Sequence, residues 1–248
     1  VTVPLPLLIA LQFLTRLPIR LAGMPAPEEL GRSLLWYPLV GLLLGATLLA
    51  MHWLLGNSAV PLQAACLLAM WVAASGGLHL DGLADTADAW VGGLGDRERT
   101  LTIMKDPRSG PIAVVVLVLV LLLKFVALWV LLAQDAEWAA LLLAPVLGRS
   151  ALLALFMTTP YVRAGGLGQA LATHLPRPAA RGVLLAVAVA ALCLGLVGLS
   201  ALLVSVALFF YVRRCLRERL GGFTGDTAGA LLELVECAVM LALALQLG

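Results

Sequence analysis

The chain has 248 residues, 62% of them hydrophobic and only 12% charged, with a mean hydropathy of +1.05. Soluble domains carry about 45–50% apolar and about 25% charged residues, so this composition excludes a soluble globular protein and defines an integral membrane one. The formal net charge of +2 is too small to suggest a nucleic-acid partner.

Residues 4–15 are apolar but too short to cross a bilayer, and Arg16, Pro18 and Arg20 follow them. They predict an interfacial or re-entrant helix. No basic stretch or small-residue cleavage site precedes them, so no removable signal peptide is expected. Spans are predicted at 34–55, 61–79, 111–133, 138–157, 180–197, 199–214 and 229–247. The fifth and sixth form one apolar run interrupted by Gly195, Gly198 and Ser200. A single helix over that run would exceed the bilayer, so a tight helical hairpin is predicted. The expected fold is an all-α polytopic membrane protein, one domain over 1–248. It has about seven transmembrane helices and an N-terminal interfacial or re-entrant helix. Cys66, Cys193, Cys215 and Cys237 lie singly and read as small apolar fillers.

Basic residues alternate between connections. Arg16, Arg20 and Arg32 precede the first span; Arg97, Arg99, Lys105 and Arg108 separate the second and third. Arg163, Arg177 and Arg181 separate the fourth and fifth; Arg213, Arg214, Arg217 and Arg219 follow the sixth. The other connections carry no basic residue. This bias predicts a cytoplasmic N-terminus, with the three long loops on the same side.

One of those loops begins in HLDGLADTAD (79–88). On a helix Asp81, Asp85 and Asp88 fall at i, i+4 and i+7, a single stripe. Carboxylates this close repel unless a cation neutralises them. Oxygen ligands suit Mg²⁺ or Mn²⁺, with water or substrate phosphates completing the shell, and such ions can bridge a diphosphate. A solvated helix end, its acids paired with Arg97 and Arg99, is the plainer reading.

GGLHLDGLADTADAW, then R-x-x-x-L-x-IMKDPRSG, then GGFTGDTAGALLELVE resemble the cobalamin synthase family, the adenosylcobinamide-GDP ribazoletransferases. FLTRLP (13–18), YPLVGLLLG (37–45), GRS (148–150) and GLG (166–168) extend the resemblance from near residue 12 to about 240. Ala89 departs from it where the family favours Gly, and its methyl is expected to crowd the acidic stripe. Pro107 after Asp106 is also atypical. The resemblance implies a Mg²⁺-dependent transfer of adenosylcobinamide phosphate from its GDP-activated form to a ribose hydroxyl of α-ribazole or its 5′-phosphate, releasing GMP. It further implies the inner (cytoplasmic) membrane of a bacterium and a cytoplasmic active site. Partners would be the two substrates and the bilayer, with homo-oligomers or other late cobalamin-assembly enzymes as further associates. Asp81, Asp85 and Asp88 would hold the metal, with Asp106 a further ligand or the proton acceptor.

His79 is expected either to contact phosphate or to pack at the interface. Lys105 and Arg108 flank Asp106 and could hold phosphate oxygens, although membrane anchoring explains them equally. Arg149 lies mid-span, where an unpaired cation costs roughly 2.5 kcal/mol or more, so a partner is required. Lys124 raises the same question. GGFTGD opens the last helix: Thr224, Gly225 and Asp226 form a phosphate seat at its N-terminus. Glu233 and Glu236 continue the face of Asp226 into the membrane, to pair with Arg149 or Lys124 or to meet the substrate.

Two other classes were weighed. A CDP-alcohol phosphotransferase needs D-x-x-D-G-x-x-A-R…G-x-x-x-D-x-x-x-D, but Asp85 rather than Arg follows Ala84. A secondary transporter would show inverted halves with broken helices at midplane, and no such repeat is evident.

Overall fold

The computed structural model describes residues 3–163 and 165–247, and its regular structure is helical throughout. Helix α1 (Leu5–Leu14) is only 10 residues long, about 15 Å, and buries Ile9, Ala10 and Leu14. It is the short N-terminal helix expected. Helix α2 (Pro27–Ser33) passes through a 3₁₀ turn into α3 (Tyr37–Leu55), so that Pro27–Leu55 forms one spanning unit. A Cβ on Gly41 would stand 2.4 Å from the Pro145 carbonyl oxygen, and one on Gly45 2.5 Å from that of Leu141. These two glycines, four residues apart, let α3 approach α8 (Glu137–Thr158) backbone to backbone.

The predicted span 61–79 is corrected. Helix α4 (Val60–Ser75) stops at Gly76 and Gly77, both at positive φ, and the chain turns by 88° into α5 (Leu78–Gly92). Two consecutive left-handed residues break a helix, and glycine adopts that conformation without a Cβ penalty. HLDGLADTAD is therefore not the tail of a span but the body of a second helix in a broken one. A short α6 (Arg97–Ile103) leads to α7 (Pro111–Ala133), which matches its predicted span.

After α9 (Leu167–Thr173) come α10 (Arg177–Leu192) and α11 (Gly195–Leu220), the predicted hairpin. Its turn lies at 193–195, where Gly195 has φ 66°, and Gly198 closes directly on the Ala191 carbonyl. Helix α11 runs past its apolar part to include the four arginines after residue 212. Helix α12 (Gly225–Ala244) starts four residues before the predicted span. Among the described residues five helical units are long and apolar enough to cross a membrane, six if the bent α4–α5 pair is counted as one broken span. The expected seventh, α10, has only 16 residues against about 20 for a perpendicular crossing. The protein is an all-α, multi-pass membrane protein.

Helices α8 and α12 form the buried centre, whereas α7 and α11 turn Val115, Leu119, Leu122, Leu203 and Phe210 outward. Water would penalise such a surface, and hydrocarbon suits it. The basic connections gather at one end. Arg97 Nε donates to the Leu220 carbonyl (2.8 Å), and Arg219 donates to Thr100 Oγ1 and the Trp90 carbonyl (3.1 and 3.0 Å). At the opposite end His52 meets Glu137 (3.4 Å).

Candidate active site

The site lies at the basic end, where α5 crosses the start of α12. Gly82 and Gly229 make the crossing close: their Cβ atoms would stand 2.7 Å from the Asp226 carbonyl oxygen and 3.2 Å from His79. The approach sets the acidic stripe of α5 beside Asp226, so that Asp85 has Asp81, Asp88, Asp226 and Arg163 as charged neighbours. Ala89, expected to crowd the stripe, is fully buried in the hydrophobic core.

The start of α12 is fixed in two ways. Thr224 and Thr227 cap it reciprocally, with Thr224 Oγ1 accepting from the Thr227 N–H (3.3 Å) and Thr227 Oγ1 from the Thr224 N–H (2.9 Å). The segment before it pairs with the chain after α8: Val162 N–H donates to the Phe223 carbonyl and Phe223 N–H to that of Pro160, both 2.9 Å. Phe223 meets Phe156 and Tyr161 edge to face at 4.8 and 5.3 Å. Gly166 and Gly168 lie against the Tyr161 ring where a Cβ would collide, which explains the GLG stretch. This bridge places Arg163 beside Asp226, with Nη1 3.0 Å from Oδ2.

A cavity of about 410 Å³ opens here, lined by the aromatic residues Phe13, Tyr37, Phe156 and Tyr161 and by the polar residues His79, Asp81, Arg163 and Asp226. A recess of about 210 Å³, lined by Arg97, Lys105 and Thr224, shares Arg163 and Asp226 with it. Another of about 430 Å³, lined by Gln12, Arg16 and the Gly76–Gly77 turn, shares Phe13 and Asp81. Through these shared residues the three cavities adjoin, bringing aromatic and charged side chains into one region.

Apart from Asp85, which lines none of these cavities and stands beside Asp81 and Asp226, the residues singled out from sequence divide into three groups. Asp81, Gly225, Asp226 and His79 line the main cavity, while Lys105 and Thr224 line the smaller recess. His79 is 3% exposed, and neither ring nitrogen has a partner among the described residues. A second group is engaged in structure. Asp88 accepts from the Ala113 N–H (2.9 Å) and from the Gly110 N–H, capping α7. Asp106 is gripped by Arg108, which donates Nε and Nη2 to its two oxygens at 2.9 and 2.7 Å. These hydrogen bonds hold the Asp106 carboxyl well below the usual carboxylate range. The pair lies at the surface, off the cavity wall.

The third group is a buried quartet. Lys124 Nζ donates to Glu233 (2.6 Å) and Glu236 (2.7 Å), and Arg149 to the other oxygen of Glu236. All four side chains are buried, so two cations and two carboxylates neutralise one another. Lys124 also stands 5.0 Å from the Trp71 ring. Arg149 thus has the partner its position demanded, and the quartet lies off the cavity lining.

Among the described residues no three His, Cys, Asp or Glu side chains converge as a preformed metal cage. A Mg²⁺ ion needs none, since one or two carboxylates, water and substrate phosphates satisfy it. Asp81 and Asp85 accept no hydrogen bond from a described residue, unlike Asp88, so the donor set suits an ion completed by a phosphate ligand. Sequence reasoning missed Arg163 as a site residue and the aromatic wall. Arg163 stood just before the GLG stretch, and its signal was a cation in a short glycine-rich connection.

The fold and site define a polytopic membrane protein with an acid-lined, aromatic cavity at its basic end. Comparison with known proteins makes the assignment specific. The model of the cobalamin-5-phosphate synthase family matches residues 6–244, and the chain belongs to that family. It is 66% identical over 242 residues to the adenosylcobinamide-GDP ribazoletransferase of Pseudomonas fluorescens strain Pf-5, covering 97% of this chain and 99% of that one. It is 67% identical over 239 residues to that of Ectopseudomonas mendocina, covering 96% and 98%, and 67% over 244 to that of Pseudomonas putida GB-1, covering 98% and 100%. No solved structure matches. The protein is an enzyme, a transferase of cobalamin biosynthesis.

Proposed function

We propose that the protein transfers adenosylcobinamide phosphate from adenosylcobinamide-GDP to a ribose hydroxyl of α-ribazole or α-ribazole 5′-phosphate. The hydroxyl oxygen forms a bond to the phosphorus on the cobinamide side, the bond to the bridging oxygen breaks, and GMP leaves. The hydroxyl proton is lost to water as that bond forms. The observation that carries this reading is the meeting of Asp81, Asp226 and Arg163 on the wall of an aromatic-lined cavity at the head of α12, with Asp85 as their charged neighbour. Asp81 and Asp85 are the carboxylates free to hold Mg²⁺, with Asp226 opposite. The bound ion would neutralise the diphosphate and stabilise charge on the leaving oxygen.

The chain's own contribution is positional, as phosphoryl transfer requires. The α12 N-terminus offers the positive end of its helix dipole. Tyr37, Phe13 and Tyr161 offer faces to flat groups. The site would face the cytoplasm of the bacterial inner membrane, because the basic connections gather at its end. The test is incubation of the protein in lipid nanodiscs with adenosylcobinamide-GDP, α-ribazole and Mg²⁺. GMP release dependent on both organic substrates is expected, and its absence would sink the reading.

A further inference from the structure

Arg163 occupies a position no other cation shares. Among the described Lys and Arg side chains it alone lines the main cavity, and it lines the smaller basic recess as well. Arg97, across that recess, spends Nε on the Leu220 carbonyl and Nη1 on Glu98. Lys124 and Arg149 are consumed by the buried quartet. Arg163 donates only through Nη1, to Asp226, and its other N–H groups have no partner among the described residues. Its side chain remains 36% exposed.

Its backbone is nevertheless held firmly. The hydrogen bonds joining Pro160 and Val162 to Phe223 fix the residues just before it, and Phe156, Tyr161 and Phe223 cluster beneath. A fixed stem with a half-free guanidinium is the arrangement of a grip. Its present partner, Asp226, belongs to the acidic group that a divalent ion would claim. An ion drawn to Asp226 frees Arg163, and a guanidinium fork matches two phosphate oxygens in a way an ammonium does not.

We infer that Arg163 is the diphosphate-gripping residue of the active site, exchanging Asp226 for the phosphate oxygens of the nucleotide-activated substrate. The inference rests on the proposed reaction. A simple Arg163–Asp226 ion pair with a structural role is the competing account, and the two differ in what a substitution moves.

The experiment compares wild type, Arg163→Gln and Arg163→Lys in nanodiscs by two readouts. The first is calorimetric binding of inorganic pyrophosphate, with and without Mg²⁺, which requires no turnover. Arg163→Gln should weaken it roughly ten- to hundredfold, the loss of a charge-assisted hydrogen bond or two, with Arg163→Lys in between. The second is steady-state GMP release, in which KM for adenosylcobinamide-GDP should rise while KM for α-ribazole stays unchanged. Should Arg163→Gln fail to fold, Arg163→Lys keeps the Asp226 pair and still must bind pyrophosphate several-fold more weakly. Pyrophosphate affinity equal to wild type in the folded variants overturns the assignment, as does a wild type that binds none. A wild type that binds pyrophosphate through Arg163 but releases no GMP leaves the grip standing and defeats the proposed reaction instead.

Discussion

Gly82 of α5 lies so close to Asp226 of α12 that a Cβ on it would stand 2.7 Å from the Asp226 carbonyl oxygen. The opposing atom is backbone at the capped start of a helix, so it cannot swing aside as a side-chain tip would. Gly82→Ala must push α5 away from α12 and with it the acidic stripe from Asp226. Overpacking of this kind costs about 1–3 kcal/mol. We expect a fall of at least roughly tenfold in GMP release, since misplacement by about an ångström is costly in a positioning enzyme. Gly182→Ala, on α10 with nothing within 4 Å, serves as control and should keep full activity.

The three aspartates of the stripe should separate by substitution. Asp88 is bound to the α7 N-terminus, so Asp88→Ala should lower stability by about 1 kcal/mol, the usual cost of a lost cap. Asp85 makes no such bond and stands among other carboxylates. Asp85→Asn should therefore leave thermal stability unchanged or slightly higher, while GMP release falls by roughly a hundredfold. Thermal unfolding and turnover, measured on the same preparations, check both. Near-normal turnover of Asp85→Asn would remove it from the site.

Asp106 gives a pH prediction. Hydrogen bonds from Arg108 depress its folded pKa below the unfolded value of about 3.9. A depressed carboxyl contributes stability above its unfolded pKa, and that contribution is lost only as pH falls through the folded one. Across pH 6 to 8 the group is therefore always ionised and cannot shape a rate profile. The expected result is that Asp106→Asn shows a pH–rate curve parallel to wild type over that window. An acidic limb lost in the variant would return Asp106 to the role of proton acceptor.

Much of this architecture was legible because membrane insertion writes it into composition. The 3.6-residue stripe of Asp81, Asp85 and Asp88, the α10–α11 hairpin and the need of Arg149 for a partner all follow from local pattern and solvation cost. The break at Gly76–Gly77 was less visible, because apolar residues continue to Leu80 and hydropathy does not register backbone handedness. The hydrogen bonds of Asp88 and Asp106 were not legible for another reason. Their partners, Ala113 and Arg108, are a helix N-terminus brought close by folding and a neighbour whose rotamer the sequence does not specify. Arg163 was hidden because its importance comes from a bridge between residues 160–162 and 223, which no local pattern announces.

The buried quartet supplies the last prediction. Lys124 bonds both Glu233 and Glu236, and Arg149 bonds Glu236, so the four charges cancel only as a set. Glu233→Gln leaves two buried cations against one carboxylate and should destabilise the protein by about 3–5 kcal/mol. Lys124→Met alone leaves the opposite excess and should cost a similar amount. Combined, the two substitutions retain the Arg149–Glu236 pair and remove one charge of each sign. The double variant should recover much of the lost stability, an interaction of roughly 0.5–3 kcal/mol beyond additivity. Because the quartet stands off the cavity lining, GMP release by the double variant should stay within several-fold of wild type. Recovered thermal stability without recovered turnover would show instead that Lys124 or Glu233 reaches the substrate.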